Sequence, residues 1–333
     1  MKRVLLGLLL VLGSGALAQE LVLGFAHVDP ADWTVSKKGA AALTFKNIVE
    51  GESGGRIMVE LFDSGSLGGE TDLVQSVQDG TLEMTMVSGA MSQVCPEAAV
   101  LDIPYIFSSA AIAWEVIDGP FGEALAAHCL EVTGLRTLAY GETGFRNFTN
   151  SVRPIRTPAD LEGLSIRVQN TPLFVNLIES LGGEPTPLAF SELPTALATG
   201  VVDGQENPVS VIYSNNLYEV QDYLTLDGHV YAADFMVISE DLYQSLPAAD
   251  QALLKRAAVV AGNVGRSVQQ FNSADGVARL IEAGMEVYTP TAEELAQFRE
   301  ASQPAIIEYL REEIDPQWID DLQAAVAEAE ANF

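Results

Sequence analysis

Two arginines are the residues of this chain best suited to chemistry. Arg167 sits near the C-terminal end of Leu164-Ser165-Ile166-Arg167-Val168-Gln169, where apolar and polar positions alternate as in a short strand. Strand interiors in an α/β sheet covered on both faces are usually apolar. A guanidinium there needs an anionic partner: an internal carboxylate tying the sheet to a helix, or the carboxylate of a ligand, gripped by two parallel hydrogen bonds. Arg146 follows a strand and two glycine-containing turns, Gly141-Glu142-Thr143-Gly144. Alone it reads equally well as a surface loop charge, but two such arginines together favour anion capture. Asn207 ends a strand-like segment before Pro208, as a turn asparagine or as a hydrogen-bond partner for a ligand carboxylate or hydroxyl. Glu70 opens a helix, where the dipole stabilises a carboxylate; it can cap that helix or accept from ligand hydroxyls. Phe190 can cover an apolar ligand edge or fill a core. His27 and Trp33 flank the first strand–helix turn and are candidates for the same cleft.

Catalytic alternatives find less support. Gly51-Glu52-Ser53-Gly54-Gly55 matches G-x-S-x-G, but a nucleophile elbow needs a strand before and a helix after the serine. Here a helix precedes and a strand follows. The histidines are His27, His128 and His229, with no H-E-x-x-H, Walker or G-x-G-x-x-G motif. No enzyme, cofactor or metal is expected. Cys95 and Cys129 lie in no ligand-spaced motif. An oxidising compartment would permit a disulfide between them, though spacing alone does not supply the geometry.

The elements that must position these residues alternate. Strands are predicted at Leu21 to Phe25, Arg56 to Phe62 and Leu82 to Val87. A helix capped by Asp32 and broken at Glu50 to Gly55 lies between the first two, and one entered through Leu67-Gly68-Gly69-Glu70 between the second and third. Strand–helix–strand–helix–strand implies a parallel sheet. Val100 to Phe107 reads as a strand and turn, followed by one helix over 110–132 and a strand from Leu135 to Tyr140. A second unit then begins, with a helix start at Thr157-Pro158, the Arg167 strand, a helix over 172–181, a possible strand over 187–190, and a short helix capped by Ser191. Tyr223 to Ile238 is rich in β-formers and can cross between two domains. A long helix is predicted from Leu246-Pro247 to about Ala283, then a strand at Glu286 to Tyr288. A helix opened by the Thr291-Ala292-Glu293-Glu294 capping box and a helical tail around 318–331 end the chain.

Composition bounds the setting. Met1-Lys2-Arg3, an apolar run to Leu12 and Ala16-Leu17-Ala18 form the pattern of a signal peptide over residues 1–18. That run is short for a membrane span. The formal charge is −29, and removing Lys2 and Arg3 with the leader takes it to about −31. So acidic a chain lacks the basic footprint of nucleic-acid binding. The remaining length suits two domains, and two α/β units without a low-complexity linker would allow closure over a cleft.

The order and spacing of several short segments resemble the DctP-type solute-binding proteins of tripartite ATP-independent periplasmic (TRAP) transporters. The segments are Gly54-Gly55-Arg56-Ile57, Leu67-Gly68-Gly69-Glu70, Ile103-Pro104-Tyr105-Ile106-Phe107, Gly144 to Asn150, Leu161 to Arg167 and Asp203-Gly204-Gln205-Glu206-Asn207-Pro208. The resemblance covers nearly the whole chain after the leader. It implies a two-lobed α/β binding protein, each lobe a mainly parallel sheet flanked by helices, with a long helix spanning both. Lobe I would take 19–144 plus about 233–272, and lobe II 145–232 plus about 273–333. It implies a periplasmic receptor that closes on a ligand and delivers it to TRAP permease membrane subunits. Arg167 falls on the family's carboxylate-binding arginine, Arg146 on an assisting arginine and Asn207 on the asparagine after the D-G-x-x-N turn; Phe190 and Glu70 match further lining positions. The expected ligand is a small organic acid of the C4-dicarboxylate or sugar-acid class. A zwitterionic or non-acid solute such as an ectoine-like osmolyte is the alternative, and a secreted hydrolase using Ser53 is a remote one.

Overall fold

The computed structural model describes residues 21–333, so the predicted signal peptide lies outside the described residues. The chain opens with β1 (Leu21–Ala26), α1 (Lys37–Ser53), β2 (Ile57–Phe62), α2 (Glu70–Gln78) and β3 (Met84–Val87). Two 3-10 runs, Gly89–Gln93 and Pro96–Asp102, precede α3 (Ala110–Asp118), α4 (Pro120–Thr133) and the long β4 (Leu135–Asn150). Then come β5 (Ser165–Val168), α5 (Pro172–Ser180), β6 (Glu184–Pro187), α6 (Leu193–Ala198), β7 (Gly204–Asn207) and α7 (Val209–Ser214). The chain ends with β8 (Tyr223–Ser239), α8 (Glu240–Ser245), α9 (Ala248–Glu282), β9 (Glu286–Tyr288), α10 (Ala292–Glu313) and α11 (Gln317–Asn332).

All nine strands join one sheet in the order β2-β1-β3-β8-β4-β7-β5-β6, with β9 beside the start of β8. β2, β1 and β3 are mutually parallel, as are β7, β5 and β6. Between these trios run β4 and β8, antiparallel to each other and to their outer neighbours. Each half is thus a parallel trio plus a stretch of crossing strand, and the two long strands carry the chain from one half to the other. The pairing of β4 with β8 shifts register between Glu142 and Gly144, opposite Ala232 and Ala233. Gly144, with φ of 101°, makes that bulge without strain.

Helix α9 runs behind both halves. A Cβ at Gly262 would lie 2.5 Å from the carbonyl oxygen of Tyr140 on β4, and one at Gly276 would lie 2.6 Å from Val209 of α7. The missing side chains let one helix lie against both halves. One apolar cluster fills the space between α1, α9 and the first parallel trio, through Phe25, Phe45, Met86, Leu138, Leu254 and Ala261. A larger one runs along the opposite face, from Leu73 and Val100 to Phe174 and Phe298. Helix α10 packs on α5, and α11 packs on α3.

Several local expectations are corrected. Helix α1 is capped by Ser36, whose Oγ accepts from the Gly39 N–H at 2.9 Å; Asp32 instead closes a turn with Thr34. The helix continues through Ser53 and stops at Gly54, which is left-handed. Ser53 Oγ accepts from the Ile57 N–H at 3.1 Å, so this serine joins the last helical turn to β2. That is a terminus-satisfying role on the wrong side of a strand for a nucleophile, and it removes the hydrolase reading. Val100 to Phe107 contains the end of a 3-10 run rather than a strand. The helix expected over 110–132 breaks at Gly119, with Pro120 starting α4. The strand sought over 187–190 lies at Glu184–Pro187, with Phe190 in a following 3-10 turn. Gly141 to Arg146, read as turns, is continuous strand. Cys95 and Cys129 form a disulfide closing a separation of 34 residues. By loop-closure entropy such a link stabilises the fold by about 3–4 kcal/mol.

Candidate ligand-binding site

The C-terminal ends of the parallel strands in both halves face one cleft, the usual ligand position in open α/β sheets. Val28 and Asp29 follow β1, and Ser88 and Ala90 follow β3. Gln169 to Thr171 follow β5, Ala189 and Phe190 follow β6, and Asn207 ends β7. Thr143 and Arg146 come from β4, and Gly69 to Asp72 open α2. The cleft encloses about 830 Å³, its open mouth included. The halves touch across it: Ser88 Oγ donates to Gln169 Oε1 at 3.3 Å, and Gln93 Nε2 donates to the Asn170 carbonyl.

Arg167 is the central feature. It is 3 % exposed and lines the cleft. Its Nε and Nη2 donate to the Leu188 carbonyl at 3.0 and 2.7 Å, and Phe190 lies 5.7 Å from the guanidinium. Among the described residues it has no carboxylate within salt-bridge distance, so the internal ion pair considered from sequence does not exist. Among the described residues Nη1 has no protein acceptor, which leaves the Nη1/Nη2 edge free for a two-pronged anion. Burial lowers its pKa to about 10, against the raising field of Glu206 and with the lowering field of Arg146. A charged, buried and unpaired guanidinium is costly, and a bound anion would relieve that cost.

Arg146 also lines the cleft, but it is already paired. It sits inside β4, buried, with Nε and Nη2 on the Glu206 carboxylate and Nη2 also donating to the Glu206 carbonyl at 2.7 Å. Glu206 also contacts His229 Nε2 at 3.2 Å, and His229 Nδ1 lies 2.8 Å from Asp227. Burial pushes His229 down, yet Asp227 and Glu206 outweigh it and raise its pKa to about 9. Arg146 is therefore a member of a buried charge network, with its Nη1 free of protein acceptors among the described residues.

Asn207 donates from Nδ2 to Gln205 Oε1 at 2.5 Å, which leaves its carbonyl oxygen available to the cleft. Glu70 accepts from Lys38 and from the Ser88 N–H at 3.0 Å, and Lys38 also lies 3.2 Å from Asp234. Phe190 lines the cleft as expected. His27 and Trp33 are not among the lining residues. His27 is buried edge-on against Phe25, with burial lowering its pKa to about 4. Trp33 is exposed in the turn before α1, because that helix begins four residues beyond it. Sequence reasoning missed Lys37, Lys38, Gln169 and Thr171. The available signals were a basic pair in a chain with only 17 Lys and Arg, and three polar residues directly after the Arg167 strand.

Known proteins match this arrangement. The family model described as bacterial extracellular solute-binding protein, family 7 (DctP) matches residues 25–313. A solute-binding protein of Roseobacter denitrificans is 37 % identical over 305 residues, covering 91 % of each chain. A sugar acid binding protein of Advenella mimigardefordensis, solved with galactonate, superposes with a TM-score of 0.89 at 33 % identity, covering 93 % of this chain and 99 % of that one. A TRAP periplasmic solute-binding protein of a Polaromonas species, solved with D-erythronate, gives 0.86 at 35 % identity, covering 92 % and 98 %. The fold is the two-lobed one of these binding proteins, with α9 along both sheet halves, and the family is one of transport receptors rather than enzymes. The chain belongs to the bacterial extracellular solute-binding protein family 7, the DctP-type periplasmic receptors of TRAP transporters.

Proposed function

We propose that this chain is an exported periplasmic receptor that binds a small organic acid, of the C4-dicarboxylate or sugar-acid class, and hands it to a TRAP permease. The observation that carries this reading is Arg167, buried in the cleft wall with no carboxylate partner among the described residues and one edge of its guanidinium free. Arg146 and Asn207 flank the same anion position, Glu70 offers an acceptor further along, and Phe190 covers the guanidinium. We place the lobe boundaries near 144/145 and 232/233, where β4 and β8 shift register, and near 272 in α9. Closure excludes water and strengthens the ion pair by lowering the local dielectric.

Removing one member of a buried charged pair costs roughly 2–5 kcal/mol, and ~1.4 kcal/mol is a factor of ten. Arg167→Ala should weaken acid binding at least ~30-fold in titration calorimetry, and Arg167→Lys should also bind poorly for want of the planar fork. Thermal-shift screening of the purified protein against organic acids, sugar acids and osmolytes supplies the ligand. Unchanged affinity in Arg167→Ala, or shifts with zwitterions alone, would overturn the organic-acid assignment.

A further inference from the structure

We propose that the thiol form of this chain carries a zinc site made by Cys95, Glu97, His128 and Cys129, and that closing the Cys95–Cys129 disulfide expels the metal. Cys95 precedes the 3-10 run Pro96–Asp102, Glu97 lies in the first turn of that run, and His128 and Cys129 are neighbours on α4. One ligand atom from each of Cys95, Glu97 and His128 lies within 4.8 Å of the other two. The chain has 46 Asp and Glu, yet among the described residues no other three metal-ligating side chains meet so closely. The disulfide brings Cys129 Sγ to the same point. None of the four residues lines the cleft, so this site is separate from the anion site.

Three features fit a metal better than an ion pair. In a tetrahedral zinc site, bonds of about 2.0–2.3 Å put neighbouring ligand atoms about 3.3–3.8 Å apart. Glu97 Oε2 lies 3.7 Å from Cys95 Sγ and 3.0 Å from His128 Nε2, within a few tenths of an ångström of that spacing. Next, His128 Nε2 is shielded from solvent and makes no hydrogen bond, despite the short distance to Glu97. The carboxylate oxygen is out of line with the ring nitrogen. The two atoms thus sit side by side, as two ligands of one ion do. Finally, the imidazole is held in place by Trp318 at 5.2 Å, which Phe121 meets edge-on. Both sulfurs are buried, whereas the Glu97 and His128 side chains are 18 % and 27 % exposed, which gives an ion a way in. Two thiolates, an imidazole and a carboxylate are a donor set suited to zinc. The thiolate, not the disulfide sulfur, is the ligand.

A newly made chain carries both cysteines as thiols, and binding Zn²⁺ displaces their two protons. A disulfide oxidant is then attacked by one cysteine thiolate, which releases one thiolate of the oxidant. The second cysteine attacks the mixed disulfide and releases the other. The cysteine pair loses two electrons, the oxidant gains them, and Zn²⁺ leaves because its sulfur donors are gone.

The test uses the full-length mature protein, reduced with a phosphine in denaturant and refolded without oxygen, with and without Co²⁺ or Zn²⁺. The reduced chain should take up one Co²⁺, with thiolate-to-cobalt charge-transfer bands and the intense visible bands of a tetrahedral site, and Zn²⁺ should displace it. The disulfide form should show neither. His128→Ala and Glu97→Ala should each weaken zinc at least ~tenfold, since losing even an outer partner of a metal ligand costs about 10–100-fold. Oxidised glutathione should release the zinc to a chromogenic chelator as the disulfide closes. A reduced chain that refolds only with metal would also support the site, because binding energy is then folding energy. Equal metal uptake by the disulfide form or an octahedral cobalt spectrum would assign the ion to surface carboxylates and overturn the proposal. So would zinc affinity unchanged in both variants, or a reduced chain that stays unfolded with zinc present.

Discussion

Two arginines of similar appearance in the sequence have different jobs. Arg167 is held by a carbonyl and has no carboxylate partner among the described residues; Arg146 is paired with Glu206, which also contacts His229. Glu206→Gln should therefore separate binding from stability. It leaves Arg146 and His229 with one fewer buried counter-charge, and breaking a buried pair costs about 3–5 kcal/mol. The variant should melt well below wild type, yet bind the acid at least as tightly, because the field on the ligand becomes more positive. Melting curves and calorimetry on the same sample check both halves; a tenfold loss of affinity would show that Glu206 orients Arg146 for the ligand instead. Arg167 was legible in the sequence because strand alternation placed it near a strand end, and strand ends in α/β sheets meet ligands. The pairing of Arg146 was not, since its partner lies 60 positions away and reaches it only through the register of β4 with β7. His27 and Trp33 were misplaced for a local reason. Ser36 rather than Asp32 caps α1, which leaves Trp33 in an exposed turn and brings Lys37 and Lys38 to the cleft.

At the scale of elements, glycines carry opposite messages that the sequence does not distinguish. Gly141 and Gly144 look like breaks, but they lie within a 16-residue strand, one under Met86 and the other at a bulge. The break between α3 and α4 was missed because the apolar spacing continues through Gly119-Pro120 and periodicity alone cannot show a stop. The parallel trio, the crossing strand β8 and the 35-residue α9 were legible from alternation and helical spacing over long windows. Two helical glycines give a paired prediction. Gly51 in α1 has nothing within 4 Å of its would-be Cβ, so Gly51→Ala should gain up to ~1 kcal/mol from helix propensity. Gly262→Ala gains the same propensity but drives a methyl into the Tyr140 carbonyl, on a strand held by β8. Overpacking typically costs about 1–3 kcal/mol, so this variant should melt lower than wild type while Gly51→Ala melts higher. Equal shifts of the same sign would mean that α9 can slide off β4, and the helix would not be a fixed backing for both lobes.

The whole molecule combines a strongly acidic surface with buried groups that hold protons, and together they set the direction of its pH response. Burial raises Asp102 to about 7, against the lowering charge of Arg146 and with the raising charges of Glu206 and Glu70. Burial likewise raises Glu142 to about 7, against the hydrogen bond from Gln270 and the charge of Arg266. His229, buried but held by Asp227 and Glu206, is raised to about 9. In each case the folded state binds a proton more tightly than the unfolded chain. Stability therefore falls with rising pH, from about 4 to 7 through the two acids and from about 6.5 to 9 through the histidine. Asp29 acts oppositely: burial is overcome by Lys37 and Lys38, its pKa drops to about 2, and its contribution is lost only as pH falls from about 4 towards 2. Self-repulsion of a net charge of −29 adds to the loss at high pH. The ligand-free protein should thus melt highest in mildly acidic buffer and progressively lower from pH 5 to pH 9 at fixed ionic strength. Asp102→Asn should reduce the slope of the profile below pH 7, with Glu142 supplying what remains, and leave the part above it, because the histidine step belongs to a different group. A melting temperature that climbs between pH 5 and pH 8 would mean that these buried acids are ionised in the fold, and that Arg146 and Lys38 carry more charge compensation than their paired geometry allows.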